Sequence, residues 1–167
     1  MNLNFDLRGN LKPYDKIELD YDQFRDFFID KFELSETRLE IFENYKRYIK
    51  DFQHEITPSF TQWINGSFVS NKMNPRDIDF VTLIDFKIYE ENEKLIESKF
   101  RKYGAKNHYE RIDAYCVKIY PEDHKKSSIS KYDLVYWRNW FSETKKNRAK
   151  KKFPKGFIEL KFGNTKS

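Results

Sequence analysis

Residues 63–80 read WINGSFVSNKMNPRDIDF, and this stretch decides the fold. Upstream, Phe60 to Ile64 is a short β-rich run, set off from what precedes it by Thr57 and Pro58, that enters Asn65-Gly66-Ser67. A Gly-Ser pair leaving a strand lets backbone amides and a hydroxyl approach a phosphate closely. After a loop through Pro75, Asp77 to Ile84 alternates cleanly, with Ile78, Phe80, Thr82 and Ile84 on one face and Asp77, Asp79, Val81 and Leu83 on the other. Two carboxylates at i and i+2 thus share a side, which suits a divalent cation on a nucleoside triphosphate. The competing account is a solvated strand edge. Two acids inside an otherwise apolar strand are costly unless paired or bound to metal, which favours the metal reading.

Working outward, residues 1–14 form an extended lead-in marked by Gly9 and Pro13. Apolar residues at helical spacing from Tyr21 to Phe52 predict two helices, the first ending near Glu33 and the second running to about His54, with Ser35 as the N-cap between them. A helix is predicted from about Ile88 to Tyr103, ended by Gly104. Arg111 to Tyr120 is a strand with Ile112, Ala114 and Cys116 opposite Asp113, Tyr115 and Val117, and Pro121 closes it. Ser130 to Thr144 reads as a helix and Phe157 to Leu160 as a final strand. Helices followed by β, β, α, β, α, β give an α+β class, a mixed β-sheet with helices packed against it.

The 167 residues fit one domain: an arm and helices over 1–56, a catalytic core over 57–123, and a helix, basic loop and strand over 124–167. With 16 Phe, 11 Tyr and 3 Trp, rings must fill much of the core. The single Cys116 excludes an internal disulfide, and no Cys/His spacing suggests structural zinc. His54, His108 and His124 form no ligand pattern. The N-terminus has no signal-like pattern and no window reaches membrane-spanning length, so a cytoplasmic protein without membrane contact is expected. Of the net charge of +5, Lys145, Lys146, Arg148, Lys150, Lys151, Lys152 and Lys155 supply seven positive charges, leaving −2 for the rest. That run is either a solvated loop or a contact for RNA, and charge alone leaves the choice open. For Tyr136, Trp137, Trp140 and Phe141, helical spacing favours core packing over base stacking.

Gly66-Ser67, nine intervening residues, then Asp77-Ile78-Asp79-Phe80 resembles the signature of the nucleotidyltransferase superfamily related to DNA polymerase beta. The resemblance implies a minimal nucleotidyltransferase fold in which Gly66 and Ser67 hold a nucleoside triphosphate. It also implies that Asp77 and Asp79 ligate magnesium or manganese ions, and that Asp113, from the following strand, completes one metal site. For Asp113 the competing account is a surface acid partnered by Arg111 or a lysine. Lys72 and Arg76 flank the proposed triphosphate and are candidates to neutralise it.

A closer resemblance is to short bacterial nucleotidyltransferase-like proteins with a Gly-Ser-Phe-Val-Thr-x-Lys-x-x-Pro-x-Asp-Ile-Asp core, matched by Gly66 to Asp79 with Ser70 in place of Thr. Gly9 to Pro13 is similar to that group's N-terminal Gly-x-Leu-x-Pro, and Lys155 to Glu159 to its C-terminal Lys-Gly-hydrophobic-hydrophobic-Glu. The implied activity is transfer of a nucleoside monophosphate to a hydroxyl on RNA, protein or a small molecule. The alternative is a regulatory or binding module of a toxin-antitoxin or phage-defence system, with a small helical protein as partner.

Overall fold

The computed structural model describes residues 3–163. Five strands form a mixed sheet in the order β3 (Lys16–Leu19), β7 (Phe157–Phe162), β4 (Phe60–Asn65), β5 (Ile78–Asp85), β6 (Ile112–Ile119). β3 runs parallel to β7 and β5 parallel to β6, while β4 is antiparallel to both its neighbours. A small separate hairpin pairs β1 (Asn4–Phe5) with β2 (Leu11–Lys12). Six helices complete the α+β arrangement: α1 (Tyr21–Phe28), α2 (Arg38–Glu55), α3 (Phe86–Glu91), α4 (Glu93–Leu95), α5 (Lys102–His108) and α6 (Ser127–Phe141).

Local chemistry explains the helix starts. Asp20 accepts a hydrogen bond from the Gln23 amide at 2.7 Å while Gln23 Oε1 accepts from the Asp20 amide at 3.0 Å, a reciprocal capping box for α1. Thr37 directly precedes α2, and Ser35 Oγ, two residues further back, accepts from the Arg38 amide at 3.1 Å. α2 then buries Ile41, Phe42, Tyr45, Tyr48, Ile49 and Phe52 along one stripe. These rings meet Phe24, Phe60, Phe80 and Phe100 on one face of the sheet, mostly edge-to-face or tilted. Buried polar groups there are paired: Tyr45 Oη donates to Gln62 Oε1 at 2.6 Å, Gln62 Nε2 to Thr82 Oγ1 at 2.9 Å, and Tyr48 Oη to the Phe100 carbonyl at 2.7 Å. On the opposite face Trp137 and Phe141 of α6 cover Trp63, Val81 and Phe157.

The alternation predicted for β5 and β6 is present, with Ile78, Phe80, Ile84, Ala114 and Cys116 in the first core and Val81, Leu83, Tyr115 and Val117 toward α6. The single helix predicted over 88–103 is broken. Asn92 leaves helical geometry, a π turn spans Ile96–Phe100, and Arg101 is extended. Gly104 lies inside α5 rather than ending a helix. A Cβ there would meet the Glu97 and Ser98 backbone at 2.5 Å, so glycine is required by close approach. The extended lead-in contains the hairpin and is followed by the edge strand β3, whose alternation of Lys16, Ile17, Glu18 and Leu19 is too short to stand out in the sequence. Among the described residues no helix is long and apolar enough to cross a membrane.

Candidate active site

β4 ends where the sheet opens toward α6, and its last residue, Asn65, pairs in register with Asp79 of β5, which pairs in turn with Asp113 of β6. Paired residues project to the same face, so Asn65, Asp79 and Asp113 form one row across three strands. Gly66 follows with φ +81° and ψ −166°, a conformation open in practice to glycine alone. The Ser67–Val69 turn is fastened by Phe68 and Val69, both buried.

A cleft of about 430 Å³ lies over this row. Gly66, Ser67, Asp77, Asp79 and Asp113 all line it, as do Asn10 and Leu11 from the N-terminal segment, Tyr115, Trp137 and Trp140, and Lys145 and Lys155. The structure therefore brings together five of the seven expected site residues. Lys72 and Arg76 are exposed and do not line the cleft. The loop that carries them turns its carbonyls to other arginines, Lys72 O accepting from Arg38 at 2.7 Å and Arg76 O from Arg111 at 3.4 Å. The positive side of the cleft is supplied instead by Lys145 and Lys155, the two ends of the basic run.

That run forms a hairpin-like loop closed by an antiparallel bridge between Glu143 and Pro154. Backbone bonds from Thr144 to Phe153 and from Lys155 to Ser142, both 2.8 Å, hold its base, and the Arg8 guanidinium lies 4.0 Å over the Phe153 ring. Lys146, Arg148, Lys150, Lys151 and Lys152 are exposed beyond the base.

Burial, then the negative charges of Asp77 and Asp113, push the Asp79 carboxyl up to about 7, against the pull of Lys145 and Lys155. Burial draws Lys155 down to about 8, opposed by Asp79. Among the described residues, Oδ1 of Asp113 and Oδ1 of Asn65 are buried without a hydrogen-bond partner. Arg111 does not pair with Asp113, reaching Glu40 at 3.4 Å instead, and the nearest cation is half-exposed Lys106 at 3.7 Å. Like charges facing unpartnered acceptors in a partly dry cleft are the donor chemistry that suits a hard cation. Among the described residues no group of three or more His, Cys, Asp or Glu side chains forms a ready metal cage. Magnesium commonly takes one or two carboxylates and completes its shell with water and substrate phosphates, so the residues fit that ion with a phosphate ligand present.

Arg38 is a structural support beside the cleft that the sequence alone does not single out. It is 1% exposed and its two terminal nitrogens donate to the carbonyls of Phe28, Phe68, Ser70 and Lys72 at 2.7–2.9 Å, and among the described residues no carboxylate pairs with it. Burial lowers its pKa to about 10. Phe32 lies 3.8 Å beneath the guanidinium. Arg38 thus ties the end of α1 to the loop between Gly66 and Asp77.

Residues 3–161 match the model of a family described as a family of unknown function, DUF6932. The chain belongs to the DUF6932 family. No curated protein and no solved structure matches it. The DUF6932 match runs from β1 into β7 and takes in every residue of the cleft. Within this DUF6932 chain, three stretches far apart in sequence converge. The Asn71 amide donates to Gly9 O at 3.0 Å, Asn10 bridges Ser70, and the Gly156 amide donates to Leu11 O at 2.7 Å. A Cβ on Gly156 would lie 2.3 Å from Pro13 O. Glu159 serves structure rather than the cleft, accepting from the Trp63 indole at 2.6 Å and from Lys16 at 2.8 Å.

Proposed function

We propose that this chain is a minimal nucleotidyltransferase related to the polymerase beta superfamily, which moves a nucleoside monophosphate from a nucleoside triphosphate to a hydroxyl. The observation that carries this reading is the Asn65–Asp79–Asp113 row set against Gly66 in a cleft with lysines opposite. Asp77, Asp79 and Asp113 would hold magnesium or manganese, which when bound polarises phosphoryl oxygens and offsets the developing charge. The Ser67 hydroxyl and the Lys145 and Lys155 ammonium groups meet the triphosphate. Oδ1 of Asp113, without a hydrogen-bond partner among the described residues, accepts a hydrogen bond from the attacking hydroxyl and takes its proton. The acceptor oxygen bonds to the α-phosphorus, the bond from that phosphorus to its bridging oxygen breaks, and pyrophosphate leaves.

RNA is the acceptor supported by the basic loop, whose Lys146, Arg148, Lys150, Lys151 and Lys152 extend from the cleft's edge. The test is label transfer from each of four α-labelled nucleoside triphosphates, with magnesium or manganese, to the protein itself, total RNA and cell lysate. A labelled product with the parent and none with Asp77→Asn/Asp79→Asn is the expected result. If the parent binds nucleotide in a carboxylate-dependent way yet labels nothing, the turnover reading fails. The regulatory module with a helical protein partner then takes its place.

A further inference from the structure

The cleft is lined by two chemically different groups of side chains. One carries carboxylates and lysines. The other is a wall of rings: Trp140 is 42% exposed, and its ring lies 5.1 Å from that of buried Trp137 at an interplanar angle of 15°. Tyr115 packs 4.8 Å from Trp137 and 6.2 Å from Trp140. Tyr115 also lies two residues beyond Asp113 on the same face of β6, so the ring wall and the carboxylates share one surface. Phe141, buried against Phe157 at 5.9 Å, fixes the end of α6 on β7. An exposed tryptophan braced from behind is already held in place, so stacking a ligand on it costs little ordering entropy.

We infer that Trp140, braced by Trp137 and flanked by Tyr115, is the platform for the nucleobase, so that the cleft selects a nucleotide over a bare polyphosphate. The inference rests on the triphosphate reading above. A ligand that satisfies both groups must carry a flat aromatic moiety and a polyanion. Every base offers a π-face, so all four nucleoside triphosphates gain from the ring.

The experiment measures dissociation constants of ATP, GTP, CTP, UTP and inorganic tripolyphosphate, with magnesium, for the parent, Trp140→Ala and Trp140→Phe. The parent is expected to prefer nucleotides over tripolyphosphate by about 5- to 150-fold. Trp140→Ala should erase that preference while leaving tripolyphosphate binding unchanged. Trp140→Phe, which keeps a ring, should retain most of it and separates loss of stacking from loss of folding. If Trp140→Ala binds nucleotides as the parent does, the platform is wrong while the triphosphate site stands. If the parent binds neither nucleotide nor tripolyphosphate, the triphosphate reading fails and the platform with it.

Discussion

Gly66 and Asp79 touch: a Cβ built on Gly66 would lie 2.0 Å from Oδ2 of Asp79 and 3.0 Å from its Cγ. The loop glycine and the central carboxylate are therefore one unit, since the carboxylate occupies the volume that any side chain at 66 would need. Gly66→Ala carries two penalties, a backbone held at φ +81° and a displaced Asp79. A stability loss of about 1–3 kcal/mol is expected in urea unfolding. Magnesium-dependent nucleotide binding should fall at least ~10-fold, about the effect of misplacing a positioned group. Full nucleotide binding by a folded Gly66→Ala would show that the contact with Asp79 has no bearing on the site.

The same carboxylate makes the metal-free protein pH-sensitive. Asp79 has its pKa raised from the ordinary 3.8 to about 7 in the fold. Between those values the folded state holds a proton that the unfolded state has released, so this group's contribution is complete at low pH and is lost as pH rises toward 7. In EDTA, Tm should fall from pH 5 to 7.5. Asp79→Asn should flatten that slope and stabilise the protein at pH 7.5, by an amount on the order of 2–4 kcal/mol. Magnesium should raise the parent's Tm at pH 7.5 and leave that of Asp79→Asn unchanged. A parent whose Tm–pH slope matches the variant's would remove the basis for crowded charge at this position.

Arg38 supplies four hydrogen bonds to carbonyls from one planar fork, a geometry that lysine cannot copy. Arg38→Lys leaves most of those carbonyls unpaired beside a buried ammonium, and a loss of about 3–5 kcal/mol is expected. Limited proteolysis should then cut between Ser67 and Asp77, the loop whose carbonyls Arg38 holds. Protection of that loop in the variant would assign its shape to Gly9 and Asn71 instead.

How far the sequence revealed the site depends on whether a residue's role is carried by a local pattern. Asp79 and Asp113 are legible because each interrupts an alternating apolar strand, where an acid is conspicuous, and Asp77 because it directly precedes one at the same spacing. Asn65 was passed over as part of the turn, for its importance lies in register with Asp79 across β4 and β5, which no single strand displays. Arg38 looked like an ordinary first-turn helix residue, since its four partners are 10 to 34 positions away. Lys72 and Arg76 stand out in the sequence only through their nearness to the acids. The cleft took its lysines from the far end of the chain, where Lys155 leads into β7. Trp140 follows the helical spacing of core residues, yet α6 leaves it 42% exposed at the cleft, with Trp137 and Tyr115 packed against only part of its surface.

The basic run divides into two groups with separable effects. Lys145 and Lys155 line the cleft, whereas Lys146, Arg148, Lys150, Lys151 and Lys152 are exposed on the loop beyond it. Lys155→Ala removes a partly buried cation beside Asp79 and should weaken nucleotide binding about 10-fold or more. Replacing Lys146, Arg148, Lys150 and Lys151 together by serine should leave nucleotide binding within about 2-fold of the parent, since exposed charges that do not line the cleft are weakened by solvent and salt. The same variant should lose RNA affinity, and the slope of log K against log salt should become shallower by about 0.7 for each phosphate contact removed. Lys152 is left in place because it pairs with Glu143 at 3.0 Å. Filter binding to single-stranded RNA at several salt concentrations reads the slope directly. An unchanged slope would make the loop a solvated feature and return the acceptor to a protein or a small molecule.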